Sequence, residues 1–63
     1  MIRQGHTYRD TRTGLTVMAM ESGDVARVRE VILGEPWLGR QYVALPEWLE
    51  ELPMRYHGDE VPG

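Results

Sequence analysis

Sixty-three residues with a net charge of −3 and no cysteine leave room for one small domain without disulfides. Two histidines without thiols cannot build a structural zinc site, and the acidic balance argues against a protein that holds nucleic acid mainly by charge. A chain this short buries only about 60% of its unfolded surface, so it must close a marginal apolar core unaided or bury more surface in a homodimer.

Residues 2–9, IRQGHTYR, read as a first strand interrupted at Gly5, and 10–14, DTRTG, as a polar loop ending in glycine. Next come two β-rich runs pinched around Ser22-Gly23-Asp24. Leu15, Val17 and Ala19 share one parity, Thr16, Met18 and Met20 the other; beyond the pinch Ala26 and Val28 alternate with Arg27 and Arg29. Period two on both sides of a Gly-Asp turn predicts a hairpin with strands at about 15–21 and 25–33. A helical alternative stays open here, with Asp24 as N-cap, Gly34 past the end and Val25, Val28 and Ile32 as a stripe. The scatter of Ala26, Val31 and Leu33 around that wheel favours the strand, with a bulge at Glu30-Val31.

Residues 34–39, GEPWLG, read as a second hairpin loop and 40–45 as a fourth strand. At Pro46 the pattern changes. Pro46 and Glu47 suit the start of a helical turn, and the spacing of Trp48 and Leu52 predicts an apolar face packed over one end of a barrel. Pro53 is expected to end that turn, leaving a short last strand at 54–56. The whole reads as an all-β domain over residues 1–56, a five-stranded small barrel, with a C-terminal tail at 57–63.

Gly5-His6-Thr7-Tyr8-Arg9-Asp10, then Thr13-Gly14, then Leu15-Thr16-Val17, resembles the opening of short SH3-like small-barrel proteins common in bacteriophages and bacteria. In these a G-x-x-Y strand is followed by a polar loop, a glycine and a returning strand. The resemblance covers about residues 5–56 and implies an SH3-like barrel that binds proteins or nucleic acids. An ALYDY-like run is missing, so polyproline binding is not implied.

Trp37, in a loop bounded by Gly and Pro with Arg40 close behind, is the expected anchor for a protein partner; the competing reading folds it back as a lid. Met18 and Met20, opposite in parity to the core residues, would add an adaptable apolar patch. Trp48 reads as core, and Tyr8, Tyr42 and Tyr56 as rings with rim hydroxyls. All seven basic residues are arginine, a side chain that stacks and forks where lysine does not. Arg12, Arg27 and Arg29 with Tyr42 therefore make an alternative face for nucleic acid. Residues 35–63 hold two arginines against six acids, a balance of −4. Glu47, Glu50 and Glu51 on the helical turn supply a third reading, an acidic DNA mimic that inhibits a DNA-binding host protein.

Catalysis finds little support. The only serine, Ser22, lies in a predicted turn, and His6 and His57 can meet only if the first and last strands pair. No cofactor or metal is expected. No apolar run approaches the roughly 20 residues of a membrane span, and the opening MIRQGHTY lacks a signal peptide's apolar core. The expectation is a cytoplasmic module without a membrane partner that docks on and modulates a host or viral protein.

Overall fold

Five antiparallel strands form one sheet in the order β4-β3-β2-β1-β5: β1 His6–Asp10, β2 Thr16–Ala19, β3 Ala26–Glu30, β4 Gln41–Ala44 and β5 Leu49–Arg55. This computed structural model describes residues 1–32, 34–35 and 39–55. Trp37 and the tail at 57–63 lie outside the described residues, as does Tyr56.

The alternation read from sequence sets the two faces of the sheet. Val17, Ala19, Ala26, Val28 and Ala44 are fully buried with Ile2 and Tyr8 on the inner face, while Arg27 and Arg29 take the opposite parity on β3. The helical alternative for residues 25–32 fails, because β3 pairs with β2 through Val28↔Ala19 and with β4 through Val28↔Tyr42. Three of the buried core residues are alanines, small enough to let the inner face curl on itself.

How far it curls is set by the ends of the sheet. On a flat sheet β4 and β1 would lie about 14 Å apart, three strand spacings, yet the Tyr42 hydroxyl on β4 reaches the Asp10 carboxylate on β1 at 2.5 Å. The sheet does not close, however. Among the described residues no ladder joins β4 to β5, so the five strands form a strongly curled sheet that stays open. A single 3-10 turn, Pro46–Trp48, carries the chain from β4 to β5.

That turn is shorter than the predicted helix, for a physical reason. A helix through Leu52 needs the Trp48 carbonyl for the Leu52 N–H, but the Thr11 amide and hydroxyl both donate to that carbonyl, at 2.8 and 2.9 Å. The Leu49 N–H closes the turn on the Pro46 carbonyl, and the chain leaves in extended geometry. Glu50, Glu51 and Leu52 therefore belong to β5. Pro53 lies within this strand instead of ending a helix, and the last strand begins five residues before the predicted 54–56. Proline brings no N–H to a ladder. Opposite it the register slips, Tyr8 facing Glu51 while His6 faces Arg55.

Two further expectations change. The predicted first strand begins at His6, because residues 3–6 make a turn in which the His6 amide donates to the Arg3 carbonyl and Gly5 supplies φ of 83°. Ile2 still enters the core, through a bridge to Gly23 across the hairpin tip. Leu15 is 40% exposed despite its parity with Val17, lying one residue before β2 in the loop of the β1–β2 hairpin. The proposed bulge at Glu30-Val31 is the end of β3.

Candidate functional site

Asp10 is the last residue of β1 and none of it is exposed. One carboxylate oxygen accepts the Arg12 amide at 2.9 Å, an Asx turn that follows from Asp two residues before the bend. The Arg12 side chain folds back on the same carboxylate, Nε to Oδ1 at 3.2 Å and Nη2 to Oδ2 at 3.0 Å. The Tyr42 hydroxyl completes the set by donating to Oδ2 at 2.5 Å, a charge-assisted bond. The guanidinium then stacks on Trp48, 3.4 Å from the ring centroid, with the Tyr42 ring 5.9 Å away. Four residues from β1, its following loop, β4 and the 3-10 turn thus seal the seam that the ladders leave open.

The electrostatics follow from this packing. Bonds from Arg12 and Tyr42 outweigh desolvation and hold the Asp10 carboxyl at about 2, against an ordinary 3.8. Burial, reinforced by the bond to Asp10, pushes the Tyr42 phenol up to about 12 from 10, and the Asp10 carboxylate raises Arg12. Every shift moves away from neutrality. Together these contacts join β1, its following loop, β4 and the 3-10 turn.

The same shifts fix a pH dependence. Asp10 is depressed, so its contribution is complete above 3.8 and is lost as pH falls from 3.8 to about 2; Tyr42 is raised, so its contribution is complete below 10 and is lost as pH rises from 10 to about 12. Urea midpoints measured against pH should fall at both ends. Asp10→Asn should flatten the acid limb and Tyr42→Phe the alkaline limb; parallel profiles for the wild type and both variants would refute the assignment.

The other site residues read from sequence fall in several places. Met18 and Met20 lie on the outer face, where with Gln4, Gly5 and Ala19 they line a shallow depression of about 180 Å³. Arg40, exposed on entry to β4, takes the inner parity and points toward Glu30 at 3.5 Å, so it does not join the methionines. Trp37, the expected anchor, lies outside the described residues. Of the proposed nucleic-acid set, Arg12 and Tyr42 are engaged with Asp10, while Arg27 and Arg29 occupy the opposite face of the sheet.

The acidic trio does not share one helical face. Glu47 is on the 3-10 turn, whereas Glu50 and Glu51 alternate along β5, Glu50 meeting Arg9 at 2.8 Å and Glu51 meeting His6 at 3.0 Å. Trp48, expected in the core, is half-buried at its rim. Residue order alone does not single out Asp10 as the centre of this cluster. Its Asx signal toward Arg12 is visible in the sequence, but its phenol partner lies 32 residues away.

Among the described residues no group of three His, Asp or Glu side chains gathers to hold a metal ion, and no helix is long and apolar enough to cross a membrane. Comparison with protein-family models, with curated proteins and with solved structures finds no match.

Proposed function

We propose that this chain is a small non-catalytic protein-binding module, of the SH3-like small-barrel kind carried by bacteriophages and bacteria, that docks on and modulates a host or viral protein. The observation carrying this reading is the outer-face depression. Two methionines, each with a flexible thioether stem, border an open apolar hollow beside the glycine turn at Gly5. The strand order, with β1 between β2 and β5 and a 3-10 turn leading into β5, supports the small-barrel kinship. Nucleic-acid binding loses support because Arg12 and Tyr42 are spent on Asp10. The DNA-mimic reading loses support because Glu50 and Glu51 meet basic side chains.

The test is capture. An immobilised chain should retain a stoichiometric protein from a bacterial lysate, and Met20→Glu, placed outside the core, should weaken retention at least about tenfold. Trp37→Ala tests the loop in parallel. Lysates that yield no stoichiometric protein would overturn the proposal, and retention unchanged by Met20→Glu would remove the methionine face from it.

A further inference from the structure

We propose that the outer edge of β4, which no described residue pairs, receives an extended acidic and apolar segment of the partner by strand addition. This rests on the protein-binding reading above and names its partner's chemistry. The Glu30 amide donates to the Arg40 carbonyl at 2.9 Å, and the register continues as Arg29↔Gln41, Val28↔Tyr42, Arg27↔Val43 and Ala26↔Ala44. Hydrogen-bonded pairs alternate in an antiparallel ladder. Arg40, Tyr42 and Ala44 therefore turn their main-chain groups toward β3, and Gln41 and Val43 turn theirs outward. The neighbouring ladder agrees, since the Arg27 carbonyl is directed to β2, where it accepts the Met20 amide at 2.8 Å.

The two sheet edges are treated differently. On β5 the chain places Pro53, Glu50 and Glu51, residues that discourage pairing with another strand. On β4, the sequence QYVA has no charge, no proline and no bulge. Beside that open edge the outer face carries Val43 at 57% and Val25 at 50% exposure, with Arg27 paired to Val43 across the ladder. Among the described residues the side chains of Arg27 and Arg29 form no ion pair, whereas Arg9, Arg12 and Arg40 each form one. The Glu21 carboxylate accepts the Arg27 main-chain amide at 3.0 Å, and Arg29 Nε is buried.

A strand laid against β4 sends alternate side chains to this face. Its apolar residues cover Val43, and its carboxylates lie two strand spacings from Arg27, about 10 Å, a gap that two long side chains close. A second copy of the chain would instead bring its own Arg27 and Arg29 to the same face, so charge selects an acidic segment over self-pairing.

The probe is a synthetic peptide repeating Val-Thr-Glu-Thr, titrated at low salt into the isotope-labelled full chain, with a Val-Thr-Lys-Thr repeat as counterpart. The Gln41 and Val43 amides should shift, and the lysine peptide should bind about tenfold more weakly. Reversing both charges, Arg27→Glu with Arg29→Glu, should invert that preference. Val43→Pro removes only an outward-facing N–H, leaves the β3–β4 ladder intact and should abolish binding.

Equal affinity for the two peptides, shifts mapping elsewhere, no shifts at all, or sedimentation showing self-association through this edge would each overturn the proposal. If lysate capture persists while the titration fails, the strand-addition model falls and the binding module stands. If capture itself fails, the broader reading falls.

Discussion

Replacing Asp10 by alanine is expected to destabilise the chain by about 3 kcal/mol in urea unfolding, a large fraction of what so small a domain holds. The substitution removes the acceptor for the Arg12 amide, Nε and Nη2 and for the Tyr42 hydroxyl in one step. Arg12 is half exposed and regains water, so its guanidinium adds little to the loss. The Tyr42 hydroxyl and the Arg12 amide, both part-buried, are less forgiving, since a donor kept from water and left without a partner costs about 1–3 kcal/mol. Asp10→Asn keeps the shape and one acceptor and should lose roughly half as much.

A double-mutant cycle with Tyr42→Phe separates the seam from general packing. The two losses should overlap by about 1 kcal/mol, because both delete one bond. Strict additivity, or an Asp10→Ala variant within about 0.5 kcal/mol of the wild type, would show that the seam does not hold the curled sheet.

Gly39→Ala should be as damaging, through contact alone. A Cβ at Gly39 would sit 2.0 Å from the Glu30 carbonyl oxygen, 2.6 Å from its carbonyl carbon and 2.7 Å from its Cβ. Two of these atoms are main chain at the end of β3, so no side chain can swing aside. Relief requires the Glu30–Arg40 pair to part, breaking the bond from the Glu30 amide to the Arg40 carbonyl. Overpacking of this kind costs about 1–3 kcal/mol, and the broken ladder bond adds about 1 more. At an unhindered glycine with ordinary backbone angles, the same substitution would stabilise by about 0.4–1 kcal/mol through the unfolded state. The sign of the measured change therefore decides the point. Hydrogen exchange at the Glu30 amide should accelerate in the variant, and unchanged protection there would refute the close approach.

Much of the fold was legible in residue order because strand side chains alternate with period two. Val17 and Ala19 against Met18 and Met20, and Ala26 and Val28 against Arg27 and Arg29, each divide as read, one set buried and the other on the outer face. The same rule failed at Leu15, which lies just outside β2 in the loop of its hairpin. It failed again at residues 49–52, where local spacing resembles a helix.

The candidate site divides along the same line. Methionines opposite in parity to a core strand are visible in sequence. The Asp10 seam is not, because Tyr42 reaches it only after three strands have curled.

Residue order alone determined an all-β chain with an alternating inner and outer face, a glycine-marked hairpin and a break at Pro46. Only the tertiary structure decided that Thr11 takes the carbonyl a helix would have needed, that β5 consequently runs from Leu49, and that the sheet stays open with Asp10 bridging its seam. Alternation and turn preference are settled by neighbours along the chain. The partner of a buried hydrogen-bonding group is settled by whatever folding brings within about 3 Å of it.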